Sequence, residues 1–105
     1  MKAGKRLRFR NWLVINLLRN QNDYISVGWT VPSHVGPAVT RNRVKRWLRE
    51  HVDKKWKPEN RQGLVVHFFF QKKDKDIYKE MSHSDFDEVI EIGLRDVEKL
   101  LRPRA

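Results

Sequence analysis

The sequence predicts an α+β domain, a single small sheet with helices packed on it, and three observations carry that prediction. Three segments are apolar and rich in β-branched or aromatic residues: WLVINLL (12–18), YISVGWTV (24–31) and LVVHFFF (64–70). Two stretches, 38–51 and 84–101, instead repeat apolar residues at i, i+3 and i+4. At 105 residues the chain has room for one domain, 1–105, whose folding buries somewhat under ~70% of its surface.

The elements follow in order. The opening is basic up to Arg10. Residues 12–18 form the first strand, and RNQND (19–23) is a turn, because its asparagines and aspartate bond their own backbone and tolerate left-handed conformations. Residues 24–31 alternate with period two: Ile25, Val27, Trp29 and Val31 share one face, while Tyr24, Ser26, Gly28 and Thr30 share the other. The two strands are expected to pair as a hairpin. Pro32 and Pro37 end the second strand, since neither can donate to a ladder. A helix starts near Ala38 or Val39 and runs to about His51 or beyond. Residues 54–63 read as a loop. LVVHFFF is too apolar for an edge strand and is expected at the centre of the sheet. Residues 71–81 read as a charged connection. Ser84 is expected to cap the last helix, with Asp85, Asp87 and Glu88 favourable in its first turn. Gly93 lies on that helix's apolar stripe, which predicts close approach to the sheet.

The charge is large and lopsided. Net charge is +10; residues 1–57 hold 14 Lys+Arg against 3 Asp+Glu, whereas residues 58–105 hold 9 against 10. A nucleic acid is the partner such a chain suits. The absence of cysteine excludes a disulfide framework, thiolate zinc sites and thiol catalysis. The four histidines, His34, His51, His67 and His83, lack ligand spacing, so no metal site is expected. No apolar run reaches membrane-spanning length and the start lacks a signal peptide's apolar core, so a cytoplasmic protein with no membrane partner is expected.

The basic charge concentrates in TRNRVKRWLRE (40–50). With Arg41 at 0° and about 100° per residue, Arg41, Lys45, Arg49, Asn42 and Arg46 fill an arc from 0° to about 140°. Val44, Trp47, Leu48 and His51 fall on the opposite, apolar side, which goes to the sheet. Arg43 lies between the two sides, with a structural role and an RNA contact both open. A solvated helix normally mixes signs to gain i, i+4 pairs. Within residues 40–50 no acid lies inside this arc, so each turn stacks like charge on like, a cost that a phosphate backbone removes. The segment before this helix is a strand, which speaks against a helix-turn-helix regulator of DNA. The polar sheet face beside it (Asn16, Ser26, Gly28, Thr30) suits an extended single strand. Trp12 and Tyr24 would add stacking surfaces there or else pack across strands. A ribosomal or general RNA-binding domain is the competing reading.

VGPAVTRNRVKRWLRE (35–50) resembles the VGNAVxRNRxKRxxRE segment of the bacterial ribonuclease P protein subunit. GWTV (28–31) precedes it and GLVVHFF (63–69) follows it as in that family, and the resemblance covers roughly residues 5–101. It implies a ribonuclease P protein-like fold (ribosomal protein domain 2-like) with a left-handed βαβ crossover. It also implies a helix that binds the catalytic RNA, Arg43 included, beside a sheet cleft for the single-stranded 5′ leader of precursor tRNA. The RNA with Mg²⁺ would perform the hydrolysis and the protein alone would be inactive; no cofactor in the protein itself and no protein partner are expected. Three departures stand out. The family's N-terminal helix, whose aromatics line the cleft, is expected to be absent. The family's strand-end S-K-K is Pro32-Ser33-His34, which puts His34 at the cleft, and the cleft tyrosine is Asn16.

Overall fold

The computed structural model describes residues 4–19, 24–56, 63–71 and 76–101. Its elements are β1 (Lys5–Phe9), β2 (Leu13–Arg19), β3 (Ile25–Thr30), a 3-10 turn at Ser33–Val35, α1 (Ala38–Lys55), β4 (Leu64–Phe70), α2 (Ile77–Glu80) and α3 (His83–Leu101). The fold class is the expected one: a four-stranded sheet covered by helices.

The strand order is β1-β2-β4-β3, with β1/β2 and β2/β4 antiparallel and β3/β4 parallel. The expected hairpin between residues 12–18 and 24–31 is therefore corrected: both strands form, but β4 lies between them. β4 buries alternate residues Leu64, Val66, Phe68 and Phe70, so it needs a ladder on both edges, and a β2–β3 pairing would leave one of them bare. The parallel β3/β4 pair requires a crossover, and α1 supplies it. Of the expected turn at 19–23, residues 20–23 lie outside the described residues, as do 57–62 of the loop and 72–75 of the charged connection.

β1 is an addition to the expected elements. In KRLRF the apolar Leu7 and Phe9 alternate with Arg6 and Arg8, a period-two pattern with two apolar positions only, concealed by its basic setting. β1 turns into β2 through Arg10 and Asn11, both with positive φ (55° and 66°), and the Trp12 amide donates to the Phe9 carbonyl at 3.3 Å. Two positive φ values at the turn match the strands' right-handed twist.

The core lies on one face of the sheet. Leu13, Ile15 and Leu17 of β2 and the buried β4 residues meet Val44, Trp47 and Leu48 of α1 and Phe86, Ile90, Leu94 and Val97 of α3. Gly93 brings α3 close, as expected: a Cβ there would lie 2.7 Å from Ile15 Cδ1 and 3.5 Å from the Phe9 ring. The α3 cap differs from expectation. The Ser82 hydroxyl, rather than that of Ser84, accepts the Asp85 amide at 3.0 Å, so the helix starts at His83.

Trp12 belongs to this core. It is 4% exposed, stacks on Phe86 and Phe70 at 5.9 and 6.3 Å, and meets Tyr78 edge-on at 5.8 Å. The expectation that it lines the open sheet face is corrected: the strand alternation begins at Leu13, and Trp12 closes the preceding turn with its ring inward. Tyr78, from a short α2 inside the expected charged connection, is 1% exposed, and its hydroxyl donates to the carbonyl of Trp12 (3.0 Å) or of Gln71. Burial pushes that hydroxyl's ionisation well above the ordinary tyrosine range. Between α1 and α3, the Asp87 carboxylate lies 3.2 Å from His51 Nδ1, 3.4 Å from His83 Nε2 and 3.7 Å from Lys55 Nζ.

Candidate nucleic-acid interface

The site begins with the packing of α1. Val44, Trp47, Leu48 and His51 are buried, so the helical phase is the one expected. Asn42, Arg46 and Arg49 are exposed, and Arg41 and Lys45 are half-buried. Local contacts hold the cations apart. Arg41 Nε donates to the Gly36 carbonyl at 3.1 Å, and the Arg49 guanidinium lies over Trp29 of β3 at 5.7 Å. Arg46 faces Glu50 at 4.0 Å with both side chains largely exposed, a pairing of little strength. The arc therefore runs along the β3 edge of the sheet.

Arg43 stands apart. Its guanidinium donates to the carbonyls of Tyr78 and Lys79 and lies 5.0 Å above the Trp47 ring. These carbonyls are at the C-terminal end of α2, where a four-residue helix leaves acceptors without intrahelical partners. Of the two roles open to Arg43, the geometry gives the structural one.

The second half of the site is the sheet face turned away from the helices. The register aligns Arg6, Asn16, His67 and Gly28 in one row across the four strands. Arg6 Nε donates to Asn16 Oδ1 at 3.2 Å, and Thr30 Oγ1 lies 2.7 Å from His67 Nε2. On one side of this row Arg8, Val14, Phe69 and Thr30 align; on the other, Leu18, Val65 and Ser26. Tyr24, just before β3, is 56% exposed. Thus Asn16, Ser26 and Thr30 share this face and Tyr24 adjoins it, whereas Trp12 does not. His34 is exposed in the 3-10 turn that links β3 to α1. Arg6, Arg8 and His67 were missed from sequence. The arginines were hidden in the unread β1, and His67 is the one polar side chain in a strand apolar on both faces.

The face thus carries cations at the β1 edge, cations of α1 at the β3 edge, and between them a polar row with apolar Phe69 on one side and Leu18 and Val65 on the other. Phosphates suit the edges and flat bases the middle. A cavity of 390 Å³ under the β1–β2 turn, lined among others by Arg10, Glu80, Asp85 and Glu88, holds more carboxylates than cations and does not extend this surface. Among the described residues no three His, Cys, Asp or Glu side chains converge to hold a metal ion, and no helix is long and apolar enough to cross a membrane.

Comparison with known proteins gives the same direction. The family model described as Ribonuclease P matches residues 1–91. The ribonuclease P protein component of Clostridioides difficile is 41% identical over 80 residues, 71% of this chain and 65% of that protein. That of Macrococcus caseolyticus is 36% identical over 53 residues, 50% of this chain and 46% of its own length. The chain thus spans less than two thirds of these relatives. Among solved structures, the RNase P protein from Thermotoga maritima superposes with a TM-score of 0.71 at 25% identity, covering 92% of this chain and 86% of its own. The Staphylococcus aureus RNase P protein gives 0.73 at 21% identity over 94% and 84%, a likeness of fold. With the RNR helix, the sheet face beside it and the family model in agreement over most of its length, the chain belongs to the ribonuclease P family.

Proposed function

We propose that this chain is the protein component of a bacterial ribonuclease P, a cytoplasmic endoribonuclease that removes the 5′ leader of precursor tRNA. The observation that carries the reading is α1: its apolar side is locked to the sheet, and over residues 41–49 its other side presents Arg41, Asn42, Lys45, Arg46 and Arg49 without an intervening acid, Asp53 following only in the last turn. These side chains bind the catalytic RNA, and each phosphate they neutralise releases counterions, which makes the affinity fall with salt. The open sheet face, with Asn16, Tyr24, Ser26 and Thr30 and with His34 beyond its end, receives the single-stranded leader.

The chemistry belongs to the RNA. Mg²⁺ held with the RNA supplies charge stabilisation and an activated nucleophile for hydrolysis. The described side chains offer no convergent ligand set for it. What the protein contributes is cationic surface that draws two polyanions together and holds the leader extended. The purified chain with Mg²⁺ and precursor tRNA should cleave nothing. Adding the catalytic RNA at near-physiological salt should give cleavage at the mature 5′ end, with a benefit that shrinks at high Mg²⁺ and high monovalent salt. Cleavage by the protein alone, resistant to RNase pretreatment and abolished by Glu50→Gln, would overturn the reading. One structured RNA of a few hundred nucleotides should co-purify; ribosomal RNA in its place would favour a general RNA-binding protein.

A further inference from the structure

His67 occupies the middle of the open face with its ring orientation set from two sides. Thr30 Oγ1 lies 2.7 Å from Nε2. Gly28 leaves space for the ring: a Cβ at that position would lie 3.2 Å from Nδ1 and 3.7 Å from Cε1. The imidazole therefore leans across β3, over the one residue of that strand with no side chain. Nδ1 has no hydrogen-bond partner among the described residues. The polar row that contains it, Arg6-Asn16-His67-Gly28, is flanked by Phe69 on one side and by Leu18 and Val65 on the other, with Val14 buried beneath. A planar, half-buried ring with one nitrogen tethered and one unbonded, between apolar flanks and with cations at both sheet edges, matches the shape and hydrogen-bonding pattern of a nucleobase.

We infer that His67 contacts one base of the leader, by stacking and through Nδ1, and determines the base preference at that position, with Thr30 and Gly28 as the residues that orient it. The inference rests on the reading of the open face as the leader site. Thr30 adds a restriction. When its hydroxyl donates to Nε2, Nδ1 carries the proton and donates to the base; when it accepts from Nε2–H, Nδ1 accepts. The two tautomers complement opposite base edges, so an acceptor-only side chain at residue 30 would force one of them.

The test uses the holoenzyme assembled from the full chain and the catalytic RNA. Binding is measured for precursor tRNAs whose leader bases are varied one position at a time, with a single-nucleotide leader as reference. For the wild type, one leader position should show a base preference. His67→Ala should lose that preference and weaken binding of long leaders about tenfold, the order expected for loss of one stacked base, without changing the single-nucleotide leader. His67→Phe should keep most of the affinity and lose the preference; Thr30→Val should blunt the preference while thermal melting stays within a few degrees of wild type. The phenylalanine and valine variants carry the test if the alanine variant does not fold. Wild-type base preference retained in His67→Phe and Thr30→Val overturns the inference. A wild-type holoenzyme indifferent to leader length overturns the reading beneath it, and that result is read before any variant is made.

Discussion

Arg43 and Lys45 stand two residues apart in one basic run, and replacing each by alanine separates architecture from recognition. Arg43→Ala removes a charge-assisted bond to the Tyr78 carbonyl, a longer one of 3.4 Å to the Lys79 carbonyl, and a cation over Trp47. The first contributes about 1.5–2 kcal/mol and the cation–π contact about 0.5–1 kcal/mol. Two effects work against this. Relief of repulsion with Arg46 returns about 0.3 kcal/mol, and the buried Arg43 Nε, which has no partner, no longer carries its desolvation cost. The net loss is about 2 kcal/mol. For 105 residues at about 2.1 cal/mol/K per residue, that lowers Tm by about 9 °C. Lys45→Ala should move Tm by no more than ~2 °C but lower the slope of log K against log salt by about 0.7–0.9, one phosphate. Circular-dichroism melts and filter binding to the catalytic RNA over a salt series measure both. If Arg43→Ala melts like wild type and reduces the salt slope as Lys45→Ala does, Arg43 faces RNA and the reasoning fails.

Two further outcomes follow from the core. Gly93→Val should cost about 2–3 kcal/mol in urea denaturation, because its branched carbons extend from a point 2.7 Å from Ile15 Cδ1 towards Phe9; Gly93→Ala should be near neutral, since helix propensity returns about 1 kcal/mol. An unchanged midpoint for the valine variant would mean that α3 lies farther from β2. Tyr78 makes stability depend on alkaline pH: its folded-state pKa is raised by burial, so above pH ~10 the unfolded chain gives up a proton that the folded one keeps, and stability falls by up to ~1.4 kcal/mol per pH unit. Tyr78→Phe should be less stable at neutral pH but lose this part of the alkaline decline; an alkaline limb identical to wild type would show that the hydroxyl is not buried.

Helices and long strands were legible because each carries its pattern within itself. The period-3.6 stripe of residues 38–51 states which side of α1 is buried, and Val44, Trp47 and Leu48 are buried accordingly. What sequence reading missed depends on partners distant in the chain. Nothing within residues 12–31 says that Leu64–Phe70 inserts between the two strands they contain; the apolarity of β4 asks for two neighbours without naming them. Trp12 shares its parity with Asn16, so alternation alone places it on the open face, and only the turn at Arg10 and Asn11 takes it out of register. Arg43 was undecidable for a similar reason, as its partners belong to a four-residue helix 35 positions away in the chain. The cationic arc was legible because mutual repulsion is itself a local signal, whereas the polar row through His67 exists only once four strands are aligned.

Charge is distributed unevenly over the domain. Residues 76–101 hold eight Asp+Glu against three Lys+Arg, while α1 carries no acid on its arc from Arg41 to Arg49 and only Asp53 in its last turn. The domain extends 43 × 27 × 21 Å, several times the ~8 Å over which charges act through physiological salt. Over such distances the acids of α3 do not cancel the field of the arc; they make a separate region that repels phosphate. Under the proposed function, the two together would orient the domain towards RNA before contact, with the arc of α1 forward and α3 away. Asp87 fits the same division. It directs its charge to His51, His83 and Lys55, joining α3 to the rear of α1. Had an acid of that kind stood at the position of Lys45, α1 would be more stable in isolation by a few tenths of a kcal/mol per pair, and each such pair would be one fewer phosphate neutralised. Under the proposed function, the like charge stacked along α1 would be stability forgone in the free protein and recovered on the RNA.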